Sequence, residues 1–471
     1  MRSKAAIVKK ILFTVPVETI TPLAIGAGKD DGLIDSLILK DKKGQAFIPA
    51  TSLAGVLRAE IVDIYGEDTA TMVFGGADDN DNQSMISIED VMLTNTTMIY
   101  RDGVRIDTFT GTAVKGAKFD FEALDRGATG VVKMEMTVRA VQQQQAETGT
   151  MHRYVHPTFA AHGDVFSDIA ATLADILTRG IRLGSKTTKG FGQIQSQKPA
   201  EVHILNFEKA KAMTAWLDYL DGKKLVAPTY QGNAEVLQGV VAEDMIITLE
   251  AGIKSALIIR DFTKEADDDT IAARQLRSKG DFVIPGSSVK GVLRNRAFDI
   301  LLLLMNRNRD GAEDFINHLM GFANESQKSG CKSRVAVNEV YITSDAVQPK
   351  VHARNRIDRF TGGTIEGALF KEEPLWQIDS AASPVHIEIR ITRCSPSEAG
   401  LMLLVLKDIW LGNLPIGGSK GIGRGVLQGH KATIDYKGEQ FSIEDMDTFT
   451  VAGNKEILES YVQALVGECN G

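Results

Sequence analysis

The feature that most constrains the fold of this chain is an internal duplication. Residues 48–58 read IPATSLAGVLR and residues 284–294 read IPGSSVKGVLR, so seven of the eleven positions are identical. Residues 104–119 and 355–370 are identical at nine of sixteen positions, including a shared RIDxFTG string. Chance pairing would give about one identity in blocks of this size. The two similarities therefore indicate that one domain occurs twice.

A third repeated block, near the end of each copy, is rich in glycine. Residues 183–194 and 416–427 align three glycines at an offset of 233, close to the offsets of 236 and 251 for the first two blocks. Because the three blocks keep one order, the chain is predicted to be a tandem fusion. The first domain is predicted over residues 1–222 and the second over residues 240–471, with residues 223–239 as a linker.

The hydrophobic pattern predicts the same order of elements, β-α-β-β-α-β, in both copies. The IPxxS motif leads into an apolar helix that Ser52 or Ser288 would cap. The fold class is therefore α+β, with two tandem ferredoxin-like or RRM-like domains that carry inserted loops. Alternation predicts strands at 11–17, 85–93, 131–141, 245–249, 334–342 and 385–391, and the apolar pattern predicts later helices at 165–178 and 399–411.

Composition excludes several classes of protein. Three cysteines, none in a CxxC pair, leave no disulfide framework and no cysteine zinc site. No GxxxxGK[ST] string occurs, and the glycines of residues 421–425 are misplaced for a dinucleotide fingerprint, so neither an ATPase nor a dehydrogenase is expected. No apolar run reaches the ~18 residues of a membrane span, and no signal peptide fits residues 11–17, so we expect a cytoplasmic protein.

The net charge of −8 argues only weakly against nucleic acid, because phosphate binding depends on where the cations lie. Residues 178–200 hold five Lys or Arg and no acid, and residues 411–431 hold three and no acid. Glycines let the backbone approach a phosphate closely, and the cations supply charge. These turns are candidate phosphate sites, and the alternative is a tight hairpin with solvated lysines. The candidate residues are Lys186, Lys189, Lys420 and Arg424.

Two further motifs offer contacts for RNA. The helix after IPxxS has free N–H groups at its start, and in the second copy it carries cations and no acids near that start. Both features favour binding of an anion. The alternative is an ordinary capped helix of the core. The RIDxFTG block mixes arginine with phenylalanine, which suits backbone contact and base stacking, unless its Arg and Asp form a structural pair. The candidate residues are Ser52, Arg58, Ser288, Lys290 and Arg294 in the helices, and Arg105, Phe109, Arg356, Arg359 and Phe360 in the RIDxFTG blocks.

Each copy also has an Asp-rich loop before the IPxxS motif. The first loop contains Asp35, and the second contains Asp267, Asp268 and Asp269. Carboxylates beside a phosphodiester are electrostatically costly unless a metal ion or a proton transfer uses them. These residues are therefore candidate catalytic groups, and the alternative is that they are solvated loop aspartates.

Together, the IPGSSVKG, RIDRFTGG and GGSKGIGRG strings resemble the RAMP superfamily of CRISPR-associated proteins. Each copy is similar to the backbone (seventh-family) subunit of type III CRISPR effector complexes. The resemblance implies a modified RRM fold with a thumb-like hairpin, in subunits that stack along a CRISPR guide RNA. The partners that it implies are the guide RNA, a target RNA paired with that guide, and other effector subunits, without a membrane.

The resemblance also implies where RNA is cleaved. Such subunits act as endoribonucleases that cut target RNA at regular intervals with a divalent metal, Mg²⁺ or Mn²⁺, and they use an aspartate in the loop before IPxxS. Asp35 matches that position, and it would be both the catalytic residue and a metal ligand. The aligned residue of the second copy is Ile271, so the nearby Asp267, Asp268 and Asp269 are the catalytic candidates there.

Two other functions are left open. The first is a scaffold that binds guide and target RNA without cutting either. The second is a nuclease of the same superfamily that processes precursor guide RNA without metal and uses His152 or His156. Substitution of the loop aspartates distinguishes the scaffold from the endoribonuclease, and EDTA distinguishes the processing nuclease.

Overall fold

The computed structural model describes residues 7–27, 36–76, 83–107, 110–139, 165–226, 228–233, 243–261, 271–324, 329–444 and 450–470. The chain divides into two compact units. The first is Met1–Ile99, Glu122–Ser185 and Gly192–Val240, and the second is Tyr100–Phe121, Lys186–Phe191 and Val241–Gly471. The predicted domains are continuous in sequence, whereas the units are not. A hairpin and a glycine-rich turn of the first copy belong to the second unit.

The described helices, in chain order, are α1 (Ala50–Tyr65), α2 (Glu67–Phe74), α3 (Val165–Arg179), α4 (Ala210–Leu220), α5 (Gly286–Leu304), α6 (Arg309–Met320), α7 (Pro396–Trp410) and α8 (Lys455–Asn470). Two short 3₁₀ turns lie at Thr187–Lys189 and Lys420–Ile422. Within the described ranges, no helix has the length and apolar character needed to cross a membrane.

The strands fall into a first-copy and a second-copy set. The first-copy strands are β1 (Ile7–Thr19), β2 (Phe47–Ile48), β3 (Ile86–Ile88), β4 (Val91–Met92), β5 (Met98–Ile106), β6 (Ala113–Leu124), β7 (Thr129–Arg139), β8 (Ile181–Arg182), β9 (Gln193–Ser196), β10 (Glu201–Asn206) and β11 (Tyr230–Gln231). The second-copy strands begin with β12 (Met245–Ile253), β13 (Arg260–Asp261), β14 (Ile271–Gln275), β15 (Arg277–Ser278), β16 (Asp281–Ile284), β17 (Phe322–Asn324), β18 (Ser329–Cys331) and β19 (Val335–Val337). They continue with β20 (Val340–Ile342), β21 (Val347–Pro349), β22 (His352–Arg354), β23 (Phe370–Glu373), β24 (Leu375–Gln377), β25 (Val385–Ile391), β26 (Leu427–Tyr436), β27 (Glu439–Ile443) and β28 (Val451–Ala452).

The main sheet of the first unit has β1 at its centre. β1 pairs antiparallel with β7 on one side and β10 on the other, and the strand order is β11-β10-β1-β7-β3. Helices α1 and α3 supply apolar residues to the same core as β1. On α1 the buried residues Leu53, Leu57 and Ile61 recur every fourth position, which places them on one face of the helix. Burying each such side chain contributes about 1.5–3 kcal/mol relative to exposure.

The second unit repeats this plan around β12. β12 pairs antiparallel with β25 and β26, in the order β19-β25-β12-β26-β27-β28. Helices α5 and α7 join its core, and α8 packs across α7 at a glycine. A Cβ at Gly400 would lie 2.2 Å from the Tyr461 carbonyl oxygen, so only glycine allows these helices to approach so closely.

The element order and the α+β class agree with the sequence-based prediction, but three details differ. Neither Ser52 nor Ser288 caps its helix, because α1 and α5 begin directly after Pro49 and Pro285, whose extended backbone provides the N-cap without a side-chain hydrogen bond. A serine that stands within the first turn cannot cap it.

The predicted strands at 85–93 and 334–342 are each divided into two short strands. The predicted linker, residues 223–239, also contributes structure. Within it, Tyr230–Gln231 pairs with β10, and the Tyr230 hydroxyl donates a 2.6 Å hydrogen bond to Asp175. Burial and this bond raise the pKa of Tyr230 well above its usual range. Two residues are too short a strand to show a sequence period.

Candidate nucleic-acid interface

The glycine-rich turn of the first copy is bonded to the strand segment that precedes the Asp-rich loop. The Ser185 amide donates to the Ala24 carbonyl at 2.8 Å, and the Gly192 amide donates to the Pro22 carbonyl at 2.7 Å. Gly192 has φ +80°, and a Cβ there would lie 2.0 Å from the Leu183 carbonyl oxygen. Glycine is therefore required by both conformation and space.

The second copy builds the same junction. The Gly418 amide donates to the Ile258 carbonyl, and the Gly425 amide donates to the Ala256 carbonyl, both at 2.8 Å. Gly425 has φ +81°, and a Cβ there would lie 2.0 Å from the Ile416 carbonyl oxygen. The repeated glycines thus serve a repeated backbone geometry, which brings each turn beside the flank of an Asp-rich loop.

The flanks of the first Asp-rich loop are held together by backbone hydrogen bonds. The Ala27 amide donates to the Leu37 carbonyl at 2.9 Å, and the Leu39 amide donates to the Ile25 carbonyl at 2.8 Å. At the base of the hairpin β5–β6, the Glu122 amide donates to the Ser36 carbonyl at 2.9 Å. Asp35, the residue before Ser36, lies outside the described residues, so its catalytic and metal-binding roles stay predictions.

In the second copy an equivalent backbone hydrogen bond joins the flanks of the Asp-rich loop, but Leu276 lies 237 residues after Leu39, one more than the offset of 236 in the sequence alignment. The Leu276 amide donates to the Ile259 carbonyl at 2.9 Å, as the Leu39 amide does to the Ile25 carbonyl. Counting back four residues from Leu276, as from Leu39 to Asp35, gives Ala272 instead of the aligned Ile271. Neither carries a carboxylate. The three candidate aspartates of this loop lie outside the described residues, and they are Asp267, Asp268 and Asp269.

A buried glutamate joins three arginines in the second copy. Glu372 accepts hydrogen bonds from Arg424 at 2.5 Å, from Arg260 at 3.0 Å and from Arg354. Arg260 lies beside the Asp-rich loop, Arg354 in β22, and Arg424 in the glycine-rich turn. Burial alone would raise the pKa of Glu372, but the Arg424 hydrogen bond and the charges of Arg354 and Arg260 hold it below its usual range. We call these four residues the Glu372 cluster.

The first copy fills the equivalent positions with aromatic rings. Phe121 and Phe191 stand where Glu372 and Arg424 stand, and their ring centroids are 5.6 Å apart. Lys186 Nζ lies 4.1 Å from the centroid of Phe121. Burial, with the charge of nearby Lys189, lowers the pKa of Lys186. Lys186 therefore makes a cation–π contact inside the protein, and Lys189 is the exposed cation of this turn.

In each RIDxFTG motif, the aspartate accepts hydrogen bonds from residues that follow it. Asp107 accepts hydrogen bonds from the Thr110 amide at 2.8 Å and the Thr110 hydroxyl at 3.1 Å. Asp358 accepts from the amides of Phe360 and Thr361, both at 2.9 Å, and these bonds lower its pKa. The alternative of a structural role for this aspartate thus has geometric support, with loop amides and the threonine as its partners.

These turns present side chains to solvent. Phe360 is 98% exposed, and Arg105, Arg356 and Arg359 are also exposed. A fully exposed phenylalanine beside two arginines has the composition of a stacking platform for bases. Phe109, the counterpart of Phe360, lies outside the described residues.

Among the predicted helix residues, two cations are directed at the protein. Lys290 is 7% exposed, and its Nζ donates to Ser333 Oγ at 2.7 Å and the Val335 carbonyl at 2.8 Å. Burial, then the charges of Lys189 and Arg294, lower the pKa of Lys290 to about 7. Arg294 donates to the Gly321 carbonyl at 2.9 Å. Their predicted RNA contacts are not supported by this geometry, because the polar atoms already have partners.

The remaining candidates differ in what they contact. Arg58 pairs with Glu67, and Lys420 is exposed. Ser52 and Ser288 are half-buried within the first turns of their helices, where their amides donate to Pro49 and Pro285 at 3.0 and 2.9 Å. Arg424 is 5% exposed and occupied by Glu372, so it holds the fold of the turn together.

Sequence reasoning missed Glu372, Phe121 and Phe191. Phe121 and Glu372 each lie two positions beyond a repeated block, and Phe191 lies inside one at a position that the two copies do not share. A search for identities discards such positions. What could have revealed them is a paired difference between the copies, since a Phe–Phe pair in the first is a Glu–Arg pair in the second. Positions that differ together in this way indicate residues in contact.

The sequence pattern of the RAMP superfamily matches residues 17–195 and 227–428. The chain belongs to this superfamily and contains two RAMP domains in tandem, which confirms the resemblance at that level together with the α+β fold class. No curated protein matches the chain.

One similar solved structure is described as a cryo-EM structure of the Type III-B Cmr-beta bound to cognate target RNA. The match has 17% sequence identity and a TM-score of 0.30, and it covers 41% of this chain and 61% of that one. This chain thus spans less than two thirds of the matched chain.

Proposed function

We propose that this chain is a backbone subunit of a type III CRISPR effector, which binds the guide RNA and cleaves the paired target RNA. The observation that supports it best is that both copies of a RAMP domain hold the same elements together by backbone hydrogen bonds. In each copy, the glycine-rich turn lies on the segment that leads into the Asp-rich loop. Phosphate contacts and a carboxylate on neighbouring backbone are what RNA cleavage needs.

The exposed residues supply the RNA contacts in this proposal. Lys189 and Lys420 lie on equivalent turns and would pair with phosphates of the guide. Phe360, with Arg356 and Arg359, would stack on and separate bases at the RIDxFTG turn. Separation matters because an A-form duplex does not reach the in-line geometry that attack by the RNA 2′-hydroxyl requires. The other partners in this proposal are the target RNA and further effector subunits.

Asp35 is the proposed catalytic residue of the first copy. It would orient the RNA 2′-hydroxyl and accept its proton as the phosphodiester is attacked. Bound Mg²⁺ or Mn²⁺ would offset the negative charge that develops on the phosphate. Asp35 would contribute a ligand to such an ion. Within the described ranges, no group of three or more His, Cys, Asp or Glu side chains is placed to hold a metal ion.

The decisive experiment is Asp35→Ala in the assembled complex with end-labelled target RNA. We expect one cut to slow by about 100-fold or more, while RNA affinity is unchanged, because removing a carboxylate removes no attraction to phosphate. The matched control is Asp31→Ala, in the same loop, which should leave every cut. If Asp35→Ala leaves every cut in place, the scaffold function replaces cleavage for this copy.

The second copy is tested in the same assay. Combined substitution of Asp267, Asp268 and Asp269 by alanine should remove a second cut if those carboxylates act in place of the missing one. The processing nuclease predicts a different result. It predicts that precursor guide RNA is cut in EDTA and that His152→Ala or His156→Ala stops this cleavage.

A further inference from the structure

The glycine-rich turn of the first copy is seated on the start of helix α5 within the second unit. Lys290 Nζ, in the first turns of α5, donates to Thr188 Oγ1 at 2.9 Å and to the Thr188 carbonyl at 3.4 Å. Lys290 and Gly190 are both buried. This lysine therefore fixes the 3₁₀ turn to the helix, and we call the place where the turn lies the α5 seat.

Two glycines make the close approach possible. A Cβ at Gly286, the first residue of α5, would lie 2.6 Å from the Lys189 carbonyl oxygen. A Cβ at Gly190 would lie 2.6 Å from the Glu339 amide nitrogen. Real Cβ contacts do not reach such distances, so a side chain at either glycine would push the turn off the seat.

The second copy carries the same turn, but the described residues leave open space beside Gly421 and Gly423. Ser419 and Gly423 have φ of +58° and +79°, and the equivalent Lys186 and Gly190 have φ of +60° and +91°. The backbone therefore has the same shape. No described atom lies within 4 Å of a Cβ built at Gly421 or at Gly423. Lys420, Gly421, Ile422 and Gly423 are exposed, whereas Gly190, the counterpart of Gly423, is buried. We call residues 419–423 the free turn.

The first copy carries the corresponding helix start, but it is built differently. Ala50 and Ala54 replace Gly286 and Lys290. Asp90 replaces Glu339, and its carboxylate already accepts the Ala50 amide at 2.7 Å. A turn placed on α1 as the first-copy turn lies on α5 would meet the Ala50 methyl group and would find no ammonium group.

We infer that the free turn docks on a RAMP domain of a different chain, whose helix begins with a glycine and carries a lysine four residues later. Gly421 stands where Thr188 does, so that lysine would donate to the Gly421 carbonyl, as Lys290 donates to the Thr188 carbonyl. The first copy of this chain lacks both residues and is not its partner. Copies of this chain therefore do not join end to end through the free turn. The inference rests on the proposed role as one subunit of an assembly, but it needs neither guide RNA nor cleavage.

The test uses the full chain without RNA. Wild-type protein should sediment as a monomer at all concentrations. Ala50→Gly with Ala54→Lys rebuilds the α5 seat on α1, and this double variant should bind wild-type protein at least about tenfold more tightly than wild type binds itself. Analytical ultracentrifugation of the mixture measures both. Because this test contains no RNA, a negative result would not affect the proposed RNA function. A loss of RNA binding in the other experiments would likewise not affect this result.

Two glycine variants identify the surface. Gly423→Ala on the wild-type partner should abolish binding to the double variant, because its counterpart Gly190 has no room for a Cβ. Gly421→Ala is the matched control and should leave binding intact, because its counterpart Thr188 already carries one. The inference is overturned if wild-type protein self-associates and Gly423→Ala prevents this, a result that needs no folded double variant. It is also overturned if a folded double variant fails to bind wild type.

Discussion

The two glycine-rich turns share a backbone, yet opposite side-chain chemistry holds them. In the first copy the rings of Phe121 and Phe191 lie 5.6 Å apart. In the second copy, Glu372 and Arg424 occupy the same positions, 2.5 Å apart. The backbone hydrogen bonds of the two junctions are the same in both copies. The backbone hydrogen bonds are therefore what the two copies need to form the junction. The pair of contacting side chains can differ between the copies, provided that both members differ together.

The exchange changes what each turn can do. Arg260, Arg354 and Arg424 surround one carboxylate, so the Glu372 cluster has an excess of two positive charges. Arg260 is its most exposed member, with 43% of the side chain accessible. In the first copy Lys186 is directed at two rings, so Lys189 is the cation that faces solvent. Each turn thus holds one cation against the protein, Lys186 in the first copy and Arg424 in the second, and exposes another, Lys189 or Lys420.

The largest expected effect is on the Glu372 cluster. Glu372→Gln should lower the free energy of unfolding by about 3–5 kcal/mol, because it leaves buried Arg424 without its counter-charge. Phe121→Leu at the equivalent position should cost about 1–2 kcal/mol, for the lost ring contacts. Urea unfolding measures both. Glu373→Gln is the control, with about 0.5 kcal/mol expected for a half-exposed pair. A larger loss for Phe121→Leu would contradict this interpretation of the exchange.

The next effect concerns RNA and not stability. Phe360→Ala should weaken RNA binding by about 1–3 kcal/mol, the usual contribution of one stacked base. Its unfolding free energy should stay the same, since the ring is 98% exposed. Fluorescence anisotropy with labelled guide RNA measures the affinity. Phe109→Ala, at the matching position of the first copy, shows whether both RIDxFTG turns bind. An unchanged affinity for Phe360→Ala would remove this turn from the RNA surface.

The pH dependence of the unfolding free energy should show the effect of Lys290, which stands where the first copy has Ala54. The pKa of Lys290 is about 7 in the folded protein, against about 10.4 for an unfolded lysine. Between these values only the unfolded chain holds the proton, so the unfolding free energy should rise with pH by up to about 1.4 kcal/mol per unit. Lys290→Met should remove this rise between pH 7 and 9. Parallel profiles for the variant and the wild type in urea unfolding would refute the assignment.

The smallest effect is electrostatic. Lys189→Gln and Lys420→Gln should each reduce the magnitude of the log–log salt slope of RNA binding by about 0.7, the value for one phosphate contact of a single strand. Arg424→Gln should not change this slope while the protein stays folded, because that guanidinium is buried against Glu372. Salt titrations of the three variants compare them. A slope change for Arg424→Gln alone would reverse the roles assigned to these cations.

The amino-acid sequence by itself determined the duplication, the α+β class and the order of elements. Strand Val385–Ile391 has the predicted bounds, and helix Val165–Arg179 ends one residue beyond its predicted end. These features depend on local period and on repeated identities, both of which can be read along the chain. The glycines of residues 183–194 and 416–427 were likewise recognisable, because their positive φ values leave few alternatives.

Only the tertiary structure decided which cations are available to a ligand. Lys189 and Arg424 both lie in acid-free, glycine-rich turns, but one is exposed and the other pairs with Glu372, 52 residues earlier in the chain. The contact between the first-copy turn and helix α5 was also decided by the tertiary structure, because Thr188 and Lys290 are 102 residues apart in the sequence. Charge along a sequence is a local property. Burial and partner choice depend on contacts between distant segments, which no local pattern records.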